Sequence, residues 1–173
     1  PSVLTINPLS GWHANLLTLQ RRNCILFVHD ATRFPIFING VLKKDYANLN
    51  WLFADSFMNT LLRLDANQQQ LDYAAELLTF CQFDTDCNRS VQGTLNQMKG
   101  NIEHMLWYDQ ASIEDISSYG IGVWLADRPC GVKRQDSNKK DYIWPLKAML
   151  ALLSAPNTQR NAPKQHTNTK AEL

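Results

Sequence analysis

Five polar residues hold most of the chemistry that this chain offers on first reading: His13, Asn15, Asp30, Thr32 and Arg33. They gather at the open end of two apolar runs, 12–19 and 24–30, whose β-branched, aromatic and aliphatic content predicts strands. If Arg21 and Arg22 form the centre of the turn between them, Gln20 faces Asn23, Asn15 faces Val28 and His13 faces Asp30. An aspartate beside an imidazole orients the ring as a general base requires. Arg33, just past the pair, suits an anionic substrate. That constellation describes a metal-independent hydrolase or nuclease with His13 as base and Asp30 as its orienter. The competing reading is a polar hairpin end that satisfies its own hydrogen bonds, because a His–Asp pair without a nucleophile or metal is an incomplete active site.

Three further groups are candidates for binding. Arg21 and Arg22 are unusual at a tight turn, where Gly, Asn and Asp are preferred. They read either as a phosphate-contacting tip or as part of a wider loop bonded to acids or carbonyls of a helical layer, and an isolated arginine pair favours the second. Asn88-Arg89-Ser90 opens a helical pattern and offers a cap, a guanidinium and free amides, a combination suited to an anion. The plainer account has Asp86 or Asn88 capping the helix and Arg89 paired with a carboxylate. Asn96, seven residues beyond Arg89, shares its helix face, and both are candidates to join His13 and Asp30. His104 is expected to be partly buried and His166 solvated. Trp51, Trp107, Trp124 and Trp144 are expected to be core or interface anchors.

The elements that must position these residues follow from the hydrophobic pattern. The first two strands are apolar on both faces in the middle, which calls for a sheet covered on both sides. Residues 34–38 form a third run, and Pro35, which has no N–H to give, places it at an edge or at a strand start. Asn39-Gly40 marks a turn. From Lys43 the period changes: Tyr46, Leu49, Phe53, Phe57 and Leu61 define an amphipathic helix. Gln68 to Cys81 repeats the pattern, residues 84–89 break it, and Val91, Leu95, Met98, Ile102 and Met105 define a third helix. Ser112, with Glu114 and Asp115 behind it, caps a fourth helix expected to reach Ala126. Pro145 suits the first turn of a fifth, ending near Ser154.

Hydrophobic residues make up 45% and charged residues 19% of the 173, a balance that excludes disorder throughout. No apolar run approaches the roughly 18 residues needed to cross a bilayer, and residues 1–10 do not read as a signal peptide. No membrane partner is expected. The net charge of +1 is unevenly spread, with +2 on residues 131–142, +2 on the tail from Pro156 and −3 on the rest. Such a body is not a strongly basic nucleic-acid domain, although its basic segments can touch phosphates. Residues 132–141 and the tail carry no apolar stripe and are expected to be mobile and dispensable for folding. The four cysteines, Cys24, Cys81, Cys87 and Cys130, show no C-x-x-C spacing, and no H-x-x-x-H pair exists, so neither metal nor cofactor is expected. Cys81 and Cys87 are close enough in sequence to approach each other, but nothing else suggests a secreted disulfide framework, and a reducing cytoplasm is the expected compartment.

Three motifs carry a resemblance. They are Trp12-His13-Ala14-Asn15-Leu16 through Arg21-Arg22 and Leu26-Phe27 to Asp30-Ala31-Thr32; Asn88-Arg89-Ser90-Val91-x-Gly93-x-x-Asn96; and Arg128-Pro129-Cys130-Gly131 followed by Tyr142 and Pro145. On these the chain, over residues 11–154, resembles a bacterial family of uncharacterised proteins, a domain of unknown function. The resemblance implies no activity. Members begin with an additional strand carrying a Thr and a Lys, which residues 1–10 do not show. The second motif is altered at Gln92, Thr94 and Leu95, and the third is stretched by the basic insert 132–141. The whole predicts one α+β domain over residues 11–155, an antiparallel meander of about three strands packed by about five helices, with a disordered tail over 156–173. The expected function is a cytoplasmic binding or regulatory module with a protein or nucleic-acid partner; the His13 hydrolase or nuclease is the alternative.

Overall fold

The computed structural model describes residues 7–79, 87–133 and 140–160. Three antiparallel strands, β1 (Trp12–Leu19), β2 (Arg22–His29) and β3 (Pro35–Ile38), form a sheet with β2 in the centre. β3 starts at Pro35 on an edge, the place where a residue lacking an N–H does no harm to the ladder. The helices are α1 (Leu49–Arg63), α2 (Gln68–Leu78), α3 (Arg89–Tyr108), α4 (Ser118–Ala126) and α5 (Pro145–Arg160). Between α4 and α5 lies a separate two-stranded hairpin, β4 (Cys130–Lys133) and β5 (Lys140–Ile143). The architecture is α+β, as the pattern predicts.

Both faces of the sheet are covered, as its apolar strands require. Ile25 and Phe27 of β2 join Trp12, Ile36 and Ile38 in one layer with Phe53, Phe57 and Leu61 of α1 and Met149 and Leu153 of α5. Trp12 packs edge-on against Phe53 and Phe57, with ring centroids 4.9 and 5.7 Å apart, a geometry that aromatic quadrupoles favour. The alternate residues Cys24, Leu26 and Val28 join Leu17, Leu19 and Phe37 against Leu95, Met98 and Ile102 of α3 and Ile121 and Leu125 of α4. Gly122 lets α4 approach α1 closely, because a Cβ there would lie 3.2 Å from Thr60 Oγ1.

The hairpin turn differs from the expected one. Gln20 and Arg21, not Arg21 and Arg22, are its central residues, and both have positive φ (47° and 69°), as the primed turns of two-residue hairpins demand. Leu19 therefore pairs with Arg22, Asn15 with Leu26 and His13 with Val28. The expected register is displaced by two residues. A two-residue slip leaves every side chain on its face, so the apolar pattern does not distinguish the two registers. The turn does: Gln20 Nε2 donates to the Ala111 carbonyl (2.9 Å) and its Oε1 accepts from Ile113 N–H (2.8 Å), docking the tip on the loop before α4.

Other boundaries move for local reasons. Residues 43–48 form a 3-10 segment before α1. Ser112 does cap, but only the 3-10 turn Ile113–Asp115; Ile116 is extended, and Ser117 caps α4 through Gly120 N–H (3.0 Å). α2 opens on a capping box in which Asn67 and Gln70 exchange side-chain and backbone bonds of 2.8 and 2.9 Å. Gln70 also donates to the Leu150 carbonyl and Ser154 Oγ, tying α2 to α5. α5 continues to Arg160, past the expected end at Ser154. The ends of the insert 132–141 are paired strands, with 134–139 outside the described residues. Trp12 is fully buried and Trp124 half-buried against the core, whereas Trp51 and Trp107 are 66% and 76% exposed and so are not core residues, and His104 is exposed as well. Cys81 and His166 lie outside the described residues.

Candidate functional site

The open end of the sheet gathers the polar residues into a closed knot. Asp30 opposes Gly11 through its N–H bond to the Gly11 carbonyl (2.9 Å), so it is the diagonal neighbour of His13 on the face that meets α3. Its carboxylate accepts from His13 Nδ1 at 2.6 Å. His13 Nε2 accepts the Asn88 backbone N–H at 3.0 Å, the amide immediately ahead of α3. With Nε2 accepting, Nδ1 is the nitrogen that donates, and His13 is only 6% exposed. Both nitrogens are in use, and the lone pair that a general base needs is spent on a backbone amide.

Arg33 closes the knot. It stands in the left-handed region (φ 61°), where the β2–β3 connection folds back and Arg33 N–H reaches the His29 carbonyl (2.8 Å). Its guanidinium bonds the Asp30 carbonyl and donates to Ser90 Oγ at 3.0 Å. Burial pulls its pKa down, and the nearby Asp30 charge acts against that. Among the described residues its Nε makes no hydrogen bond. Thr32 serves the other face: its Oγ accepts Phe34 N–H (3.2 Å) and meets His29 Nδ1 at 2.8 Å. His29, fully buried against the Trp12 ring at 4.8 Å, has its pKa lowered to about 4 by desolvation, partly opposed by the Ser10 and Pro8 backbone. Asn15 donates to Gln92 Oε1 at 3.4 Å.

Of the remaining candidates, Asn88 and Ser90 enter the knot through the Asn88 N–H and Ser90 Oγ. Arg21 is exposed at the turn, and Arg22 pairs with Glu114 at 3.1 Å in a half-exposed bridge of small energetic value. Asn88 caps α3 by accepting Ser90 N–H (2.9 Å) and Val91 N–H (3.4 Å), so these helix-end amides are not available to an anion. Arg89 and Asn96 are exposed on α3.

Arg89 instead faces an open cleft. Arg89, Ser90, Gly93 and Gln97 of α3 form one wall, Gly131 and Tyr142 of the β4–β5 hairpin the other, around a space of about 640 Å³. That volume lies within the roughly 300–1,000 Å³ of small-ligand sites. Sequence reasoning named none of Gln97, Gly131, Val132 and Tyr142 as site residues: Val132 fell in the insert 132–141 read as dispensable, Gly131 and Tyr142 stood only as parts of the third motif, and nothing in the sequence set Gln97 apart. Among the described residues no cluster of three His, Cys, Asp or Glu could hold a metal ion, and no helix is long and apolar enough to cross a membrane.

No curated protein and no solved structure matches the chain. A family model does, over residues 1–148, and the chain belongs to that family, the domain of unknown function DUF6933.

Proposed function

We propose that the chain is a binding domain whose working surface is the cleft between α3 and the β4–β5 hairpin. The observation that carries this reading is the occupied lone pair of His13: its Nε2 accepts the Asn88 amide, so the His13–Asp30 pair acts as a brace between sheet and helix. Arg33 is committed in the same way to the Asp30 carbonyl and Ser90. Arg89, Gln97 and Tyr142 line the cleft and are exposed. In this reading one α+β unit runs from about residue 11 through α5, and it acts in the cytoplasm, where the free thiols of Cys24 and Cys130 persist.

The His13 hydrolase is the second reading, favoured by the 2.6 Å His13–Asp30 contact. Incubation of the full chain with RNA, single-stranded DNA and generic phosphoesters separates the two. The binding domain gives no turnover with any of them. Turnover that disappears in a well-folded His13→Gln variant would establish the enzyme instead.

A further inference from the structure

The cleft contains a glycine that packing does not explain. Gly93 lies within α3, where glycine weakens a helix relative to alanine. Its φ is not positive, and a Cβ built on it would meet nothing within 4 Å. Neither backbone conformation nor a neighbour asks for glycine there. Across the cleft Gly131 is also bare, and a Cβ on it would lie 3.9 Å from the Tyr142 ring. Two glycines thus leave a slot between helix backbone and hairpin, beside a tyrosine that is 69% exposed. Gln97 stands one turn beyond Gly93 and Arg89 one turn before it. Arg89 makes no ion pair among the described residues, and no carboxylate lines the cleft among them.

Resting on the binding-domain reading, we propose that this cleft takes a nucleotide, either free or as one residue of a single strand, with its base between the Tyr142 ring and the bare backbone at Gly93. Every base offers a π face to an exposed tyrosine. The Gln97 amide presents a donor and an acceptor side by side, the complement of a base edge. The Arg89 guanidinium fits a phosphate with two parallel bonds. The N-terminal end of a 20-residue helix adds positive potential on the Arg89 side. The cleft is concave, with a mixed lining in which a few polar groups and one aromatic wall stand among apolar surface, the make-up of small-ligand sites.

The test is an NMR titration of the ¹⁵N-labelled full chain with AMP, inorganic phosphate and short oligoadenylate. AMP should saturably shift the Gly93 and Gly131 amides and bind at least about tenfold more tightly than inorganic phosphate. Gly93→Leu fills the slot and Tyr142→Ala removes the stacking face; each should weaken AMP about tenfold or more. Gly100→Ala, two turns further along α3 and outside the cleft, should leave the affinity unchanged. Oligoadenylate binding much more tightly than AMP, with strong salt dependence, identifies the strand as the source; equal affinities identify the free nucleotide. Melting curves of the variants establish that they remain folded. Absence of a shift at Gly93 and Gly131, phosphate matching AMP, or unchanged affinity in both variants overturns the nucleotide. The His13→Gln turnover assay reports on the binding-domain reading separately.

Discussion

Ser90 belongs to two polar regions built on opposite principles. On one side it accepts from Arg33, and through it the knot of His13, Asp30, Arg33 and Asn88 closes around buried groups. On the other it lines an open slot walled by Arg89, Gly93, Gln97 and Tyr142. The knot holds the residues that look catalytic by type: a histidine, an aspartate and an arginine. Their partners are already inside the protein. The cleft holds residues that look ordinary by type, with an arginine and a tyrosine left facing outward. Residue identity marks the first region and unused bonding capacity the second, and capacity is what a ligand needs.

The contrast breaks most visibly at Asp30. Asp30→Ala leaves His13 Nδ1 and the Arg33 charge without their carboxylate, and should lower stability by about 3–5 kcal/mol in urea denaturation. A loss below 1 kcal/mol would show that the knot is not structural. Acid should strain the same end of the sheet through His29. Its folded pKa of about 4 lies below the unfolded value of 6.5, so the unfolded chain takes up the proton first. The stability held by the neutral ring is complete above about pH 6.5 and is lost as pH falls towards 4, by up to about 3 kcal/mol. Urea midpoints across that window measure it, and His29→Gln should flatten the slope. On α3 the sign reverses: Gly93→Ala, in the cleft, and Gly100→Ala, outside it, should each raise stability by up to about 1 kcal/mol, because both Cβ atoms enter open space in a helix. A loss at Gly93 would mean that the slot is structural after all. Tyr142→Ala, at an exposed ring, should change the melting free energy by less than about 0.5 kcal/mol.

How far the sequence led depended on the kind of force involved. Strands and helices with strong periodicity were legible: the alternation of Cys24, Leu26 and Val28 with Ile25 and Phe27 calls for cover on both faces, and the structure has it. Pro35 placed its strand at the edge. The contact of His13 with Asp30 was legible although the register behind it was displaced, because Asp30 reaches His13 diagonally across the pair. The commitment of His13 Nε2 to Asn88 was not, since it joins residues 75 apart through a backbone amide, which leaves no mark in residue type. The β4–β5 hairpin was hidden by its basic composition, with strands of four residues too short for alternation to register. Without the hairpin, Gly93 reads only as a weak point in a helix, and its opposing wall is absent.

The bond from Asn88 to His13 also makes a seam between distant parts of the chain. Closing it brings together two segments separated by α1 and α2, so chain-closure entropy is spent before the contact returns anything. Helix α3 can gain turns on its own, but the Asn88 amide ahead of it has this acceptor only where β1 and the imidazole bonded to Asp30 lie against the helix end. The Asn88 amide proton is therefore a reporter placed at the seam. Its exchange with deuterated water should follow the opening of that seam, separately from fraying at the far end of the same helix.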